Sequence, residues 1–250
     1  MRTAICLVSL VATASLAHAS GCPGTAISSA STDPFAKCFC DIIGDSKATP
    51  ARPDCLVGPH VRLKAEALKR AGCVSVATTA EIKQWCLDHG YSEAGAADTA
   101  SNFGTTFWAQ DCVVFNSDSD WKIATLGEWR KKSVCQHEST HAGTQSVAGG
   151  DIAGAGSTAD EKSCAAAYRE VMAQAGSLVL LEHQLNDVSH TDAEKAKIKA
   201  MMKLATARMD EYLGWLCTAL TALPDGSWKT KGQKCKDFAK PLNTRVKSYV

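Results

Sequence analysis

The residues His137-Glu138-Ser139-Thr140-His141 form an HExxH string, and this stretch decides how the rest of the chain is interpreted. On an α-helix, side chains four positions apart project from the same face, one turn apart. Two imidazoles at that spacing can bind one tetrahedral zinc ion, and the glutamate beside the first can reach a water on the metal. The pattern predicts a zinc site. The alternative is an ordinary amphipathic helix whose histidines are only packed or exposed.

The residues around the string predict a helix preceded by a strand. Thr125 and Glu128 have capping-box spacing, and the segment from Leu126 to His141 contains no proline. We therefore expect a helix that begins near Leu126, carries the string on its last turns and ends at Gly143. Upstream, residues 111–116 read DCVVFN, a β-branched and aromatic run that is typical of a strand.

A strand, a turn and a motif helix in this order resemble the zincins, the HExxH zinc metallopeptidases. The resemblance covers about residues 111–182 and depends on the motif helix. It implies a zinc-dependent peptidase in which His137 and His141 bind Zn²⁺ and Glu138 is the general base for hydrolysis of a peptide (amide) bond by metal-activated water. The metzincin subgroup is excluded, because its additional glycine and third histidine are missing.

A catalytic zinc of this type needs a third protein ligand. In the gluzincins, which this arrangement resembles, that ligand is a glutamate on a second helix about twenty residues past the motif, and Glu161 stands in that place. A structural role for Glu161 is also open, since Thr158 and Glu161 have capping-box spacing. Asp151 is the competing ligand. Asp160 and Glu170 are weaker candidates, which we expect to be solvated.

Zinc hydrolases usually add a protein hydrogen-bond donor for the oxyanion that develops during the reaction. The downstream candidates are Tyr168, Arg169, His183 and His190. Tyr168 lies two turns after Glu161 on roughly the same helical face, and we take it as the catalytic candidate. An aromatic residue at this spacing also suits the core of a helical domain.

The start of the chain predicts export from the cell. Residues 1–19 combine Arg2, an apolar run from Ile5 to Ala17 and an Ala-x-Ala site, which together indicate a secretory signal peptide. This stretch is too short to span a membrane, and no other segment is apolar enough. We therefore expect a secreted, periplasmic or cell-surface protein.

Eleven cysteines follow the signal peptide, an odd number that predicts several disulfides and one cysteine left over. Cys22 follows Ala19-Ser20-Gly21, which loosely resembles a bacterial lipobox. Acylation of Cys22 would give a lipid anchor and leave ten cysteines for five disulfides. Bridges near Cys135 and Cys164 would brace the two metal-bearing helices.

The helical segments and the short strand together predict a mainly α-helical domain with a minor sheet. Residues 20–60 are predicted to form an irregular, disulfide-tied lead segment, and residues 61–250 a single zincin-like domain, since 45% of the chain is hydrophobic and a core can be buried. Short helices are predicted at 61–71 and 80–89. The small residues of 91–106 predict a loop near the active site.

The C-terminal half has the strongest helical periodicity. Apolar residues recur at alternating intervals of three and four within 158–185 and 192–220. These segments predict two long helices that form an antiparallel hairpin over residues 158–220.

The charge balance excludes some partners. With 27 basic and 26 acidic side chains the net charge is +1, so no global field attracts nucleic acid, and the basic stretch 229–247 is read as a solvated face. We expect a protein or peptide substrate and Zn²⁺ as cofactor. The competing hypothesis is a secreted, disulfide-stapled helical binding or effector protein in which zinc is structural or absent.

Overall fold

The computed structural model describes residues 21–27, 74–107, 110, 112–119, 126, 128–147 and 158–250. Over these residues the protein is mostly helical with a small mixed sheet, which confirms the predicted fold class. The zincin-like arrangement stays a prediction. The predicted signal peptide, most of the lead segment, the helix expected at 61–71 and Asp151 lie outside the described residues.

The sheet has four described strands in the order β1-β2-β4-β3. They are β1 (Thr25–Ala26), β2 (Val74–Ala77), β3 (Gly104–Phe107) and β4 (Cys112–Asn116). Strands β2 and β4 are parallel, and the other two pairs are antiparallel. All five residues of β4 are buried, because this strand has neighbours on both edges, and its unbroken apolar run fits that central place. Strand β3 lies at one edge of the described sheet.

Six helices are described, and capping residues explain where most of them begin. They are α1 (Thr79–Asp88), α2 (Glu93–Ala100), α3 (Trp129–Val147), α4 (Ala159–Leu185), α5 (Asp192–Ala222) and α6 (Ser227–Lys247). Capping boxes formed by a threonine and the glutamate three residues later start α1, α4 and α5. The motif helix α3 does not end at Gly143 as predicted, since one glycine costs only about 1 kcal/mol in a helix interior.

The loop predicted for residues 91–106 is wrong. This segment contains helix α2, capped by the Ser92 side chain, and the edge strand β3. Ala96 and Ala100 are buried in a small core cluster with Ile82 of α1 and Phe107 of β3. The small side chains therefore allow α1, α2 and β3 to pack closely against one another.

A larger core joins helices α3 to α6. It includes Trp129 of α3, Met172 of α4, Met209 of α5 and Leu242 of α6. The boundaries predicted for α4 and α5 are confirmed to within two residues, and the antiparallel hairpin arrangement stays a prediction. Helix α6 was missed, because its lysines hide a buried apolar face in a stretch that resembles a solvated tail.

The cysteines pair differently from expectation. Cys22 forms a disulfide with Cys112 of β4, with the two Cα atoms 5.7 Å apart. Acylation would require the same sulfur atom, so the lipid anchor proposed for Cys22 is wrong. Cys135 is disulfide-bonded as well, whereas Cys164 carries a buried free thiol and does not brace helices α3 and α4 through a bridge. Among the described helices, none is both long and apolar enough to span a membrane.

Candidate metal centre

Helix α3 brings the two histidines of the HExxH string together. The Nε2 atoms of His137 and His141 lie 3.1 Å apart, and their rings meet edge to face with centroids 4.7 Å apart. Both side chains are mostly buried, with 14% of His137 and 5% of His141 exposed. The spacing of four residues therefore brings the two ring nitrogens close together on one face of α3, as the sequence predicted.

The carboxylate that meets these histidines belongs to Glu170 of α4. Its two oxygens lie 3.4 Å from His137 Nε2 and 3.5 Å from His141 Nε2. About two turns further along α4, the Ser177 hydroxyl also holds this helix against α3 by donating a 2.9 Å hydrogen bond to the carbonyl oxygen of Ser133. His137, His141 and Glu170 form a group of potential ligand atoms that all lie within 4.8 Å of one another.

The structure gives Glu161 the capping role and not the ligand position. Its carboxylate accepts a hydrogen bond from the Thr158 backbone N–H, and its own N–H donates to the Thr158 hydroxyl. Glu161 precedes Glu170 by nine residues, which is about 13 Å along the helix axis. The expectation that Glu170 is solvated is wrong, since only 32% of its side chain is exposed, while Asp160 is exposed as expected.

The electrostatics of the group reflect its mutual contacts. Burial alone would lower the pKa of His137, but a hydrogen bond to Glu170 and the charges of Glu138 and Glu170 outweigh burial and raise that pKa. Burial alone would raise the pKa of Glu170, yet the charge of His141 and hydrogen bonds from both histidines hold it well below its usual range. Glu170 is therefore an anion that faces two nitrogen donors.

Glu138 lies beside this group in a position fixed by the edge strand. It is 4% exposed, and its Oε2 accepts a 2.7 Å hydrogen bond from the Thr106 hydroxyl of β3. Two residues earlier on β3, Gly104 allows the strand to approach α3. A Cβ at Gly104 would lie 2.9 Å from Glu138 Cγ, a distance that forces a shift, and 3.1 Å from Val134 Cγ1, which is a tight contact.

The group opens into a cleft of about 560 Å³ lined by β3, α3, α4 and α5. Tyr212 of α5 lines this cleft, and its ring centroid lies 6.4 Å from that of His137. Burial and the charge of Glu170 raise the pKa of Tyr212, so its hydroxyl stays protonated and can donate a hydrogen bond. Tyr212 is thus a candidate donor that the sequence analysis did not identify.

The donors predicted from the sequence lie elsewhere. Tyr168 packs in the core against Trp228, with ring centroids 6.3 Å apart, and is not among the residues that line the cleft. His190 faces Gln184 and the Trp129 ring. Arg169 and His183 also lie outside the cleft lining. The position of Tyr168 fits the core role that its spacing also suited.

A polar stripe on α4 marks the face that the sequence interpretation missed. Glu170, Gln174 and Ser177 recur at intervals of four and three and line the cleft within an otherwise apolar helix interior. Gln174 Nε2 donates a 2.8 Å hydrogen bond to the Ala205 carbonyl of α5. Buried polar residues need such partners, so a polar stripe at helical spacing indicates a site or a network.

Comparisons with models of known protein families, with curated proteins and with solved structures found no match to this chain. The functional interpretation therefore depends on the geometry and the chemistry of the cleft.

Proposed function

We propose that this protein is a zinc-dependent hydrolase of peptide (amide) bonds, with His137, His141 and Glu170 as zinc ligands and Glu138 as the general base. The observation that carries the proposal is the convergence of two imidazole nitrogens and one carboxylate beside a buried glutamate, at the base of an open cleft. The substrate class and the catalysis are inferences from this arrangement.

The donor set suits zinc. Zinc prefers imidazole nitrogen and carboxylate oxygen at about 2.0–2.2 Å, and catalytic sites keep a fourth position open. In a tetrahedron with bonds of that length, ligand atoms are separated by about 3.3 Å. The two histidine nitrogens lie 3.1 Å apart, and each lies 3.4 or 3.5 Å from a different oxygen of Glu170, so each of these contacts is close to that value. The cleft provides room for the fourth position.

Each residue of the site has a separate role in the proposed reaction. Zinc, when bound, supplies Lewis-acid activation of a water and of the substrate carbonyl. The Glu138 carboxylate takes a proton from the attacking water and passes it to the leaving amine. The Thr106 hydroxyl orients Glu138 by donating to Oε2. The Tyr212 hydroxyl, which lines the same cleft, would donate to the oxygen on which negative charge develops.

The edge strand favours an extended peptide as substrate. Residues 102–106, which include the start of β3, line the cleft, and β3 pairs with β4 through one edge only within the described sheet. The other edge presents backbone donors and acceptors to which an extended chain can add as a further strand. Export from the cell is part of the proposal, and the Cys22–Cys112 disulfide supports it because disulfides persist in oxidising compartments.

Metal content and peptide turnover together test this function. Purified protein should contain one zinc per chain by mass spectrometry, lose it to a chelator, and cleave members of a broad peptide library. The Glu138→Gln variant should keep its zinc and lose hydrolysis by a factor of about 10²–10⁴, because the general base is removed. Glu128→Gln, the same substitution on an exposed residue just before α3, is the control and should change neither property.

One outcome would favour the competing function. If wild type and Glu138→Gln both contain zinc and neither cleaves a peptide, the protein would be a binding or effector protein with structural zinc. Absence of zinc from the purified protein, together with no uptake on titration, would contradict the metal site itself.

A further inference from the structure

The acidic side chains that line the cleft each have a described partner. Glu138 accepts from Thr106, and Glu170 faces the two histidines. Glu211 of α5 forms an ion pair with Arg208 at 2.7 Å. The negative charge of the cleft is therefore already committed to the site and to one arginine.

Arg130 is different. It lines the same cleft from α3, is half-buried, and its guanidinium carbon lies 4.5 Å from the centroid of the Phe103 ring. No carboxylate of the described residues pairs with Arg130. The nearby carboxylate of Glu128 binds Lys132 instead, at 3.0 Å. An aromatic face orients a guanidinium while leaving its N–H groups available for a second partner.

The position of Arg130 defines where on a substrate it would act. Arg130 precedes His137 by seven residues, which corresponds to two turns and about 10 Å along α3. An extended peptide advances about 3.3 Å per residue. With the length of the arginine side chain included, the guanidinium reaches a substrate side chain two or three residues from a bond held at the metal group.

We propose that Arg130 is a specificity-determining residue that selects peptides carrying Asp or Glu two or three residues from the cleaved bond. The proposal rests on the hydrolase function inferred above and names its substrate class. A guanidinium binds a carboxylate through two parallel hydrogen bonds, and a concave site strengthens the attraction relative to open solvent.

Cleavage of matched peptides tests the assignment. After cleavage sites are mapped in the library, each preferred peptide is compared with its Glu→Gln counterpart at the acidic position. Wild type should favour the acidic peptide by about tenfold in kcat/KM, which corresponds to one well-formed charged contact. Arg130→Gln should reduce this ratio to about one. Arg130→Glu should reduce it below one and should favour a peptide that carries Lys at the same position.

Two further variants separate charge from folding. Arg130→Lys keeps the charge and should retain most of the preference. Lys131→Gln removes a neighbouring charge that is not among the residues lining the cleft, and should leave the ratio unchanged. Equal ratios in wild type and Arg130→Gln, or no acidic preference in wild type, would overturn the assignment.

A binding measurement distinguishes failure of this proposal from failure of the hydrolase function. The zinc-loaded Glu138→Gln protein is titrated with fluorescent Glu and Gln peptides, with and without Arg130→Gln. Tighter binding of the acidic peptide that disappears with Arg130→Gln supports the assignment even if no peptide is cleaved, and then only the hydrolase proposal fails. Cleavage without any charge preference overturns the role of Arg130 and leaves the hydrolase proposal intact.

Discussion

Two glutamates on helix α4 differ in what they contact. Glu170 faces both histidines, whereas Glu161 caps the helix through Thr158. Glu170→Gln should therefore weaken zinc binding by at least about 100-fold, because it replaces a proposed anionic ligand. Loss of a residue that only orients a metal ligand already costs about 10–100-fold in affinity, and loss of the ligand itself should cost more. Glu161→Gln should leave zinc affinity unchanged, since glutamine also serves in a capping box. Competition with a chromophoric chelator measures both affinities.

The opposite result would relocate the third ligand. Loss of zinc in Glu161→Gln with retention in Glu170→Gln would return the ligand role to Glu161. Retention in both, with loss in Asp151→Asn, would assign it to Asp151.

The histidine pair could be predicted from the sequence, and the carboxylate that faces it could not. The spacing of His137 and His141 is a property of one helix, so local geometry is sufficient to place both rings. Glu170 was only a weaker candidate from the sequence, because the packing of α4 on α3 sets which turn of α4 lies opposite the motif. Glu161 was favoured because it lies about twenty residues past the motif. A separation along the chain does not determine which turn of α4 packs against α3.

At the scale of secondary-structure elements, the approach of β3 to α3 controls the position of Glu138, the proposed general base. Gly104→Ala would place a methyl group 2.9 Å from Glu138 Cγ, near the root of that side chain, so either the side chain or the strand must move. We expect overpacking to cost about 1–3 kcal/mol of stability. We also expect hydrolysis to fall by about 100-fold, since small misplacements of a reacting group are costly.

Zinc content should be unaffected by Gly104→Ala, because the closest contacts of the added methyl group do not include the three proposed ligands. The control is Gly214→Ala in α5, where a Cβ would meet nothing within 4 Å. That substitution should stabilise the protein by about 0.5–1 kcal/mol, because alanine is the better helix former, and should leave turnover unchanged. Urea unfolding and peptide turnover measure these effects, and wild-type turnover in Gly104→Ala would contradict the positioning role of β3.

Elements with strong local signals were predicted well, and those that depend on packing were not. Helices α1 and α4 begin at capping boxes that are readable in the sequence, and β4 is an apolar run bounded by turns. Helix α2 and strand β3 arise from small residues whose value is close packing against neighbours. Helix α6 is amphipathic, but its dense lysines concealed the apolar face that it buries on α4 and α5.

Across the whole molecule, the proposed metal connects elements that already share one core. His137 and His141 are on α3, Glu170 is on α4, and both helices pack in the cluster that also includes α5 and α6. An ion that binds only the folded state stabilises it by about 2.7 kcal/mol when present at 100 times its dissociation constant. For a chain of this size, that corresponds to a rise in Tm of about 5–10 °C.

Thermal unfolding with and without zinc measures this linkage. Chelation should lower Tm by about 5–10 °C, and added zinc should restore it. Glu170→Gln should show much less of this response, because its site lacks the carboxylate, while Glu161→Gln should respond as wild type does. An equal response in the Glu170→Gln protein would mean that zinc stabilises the fold from another place, and the metal centre on α3 and α4 would have to be abandoned.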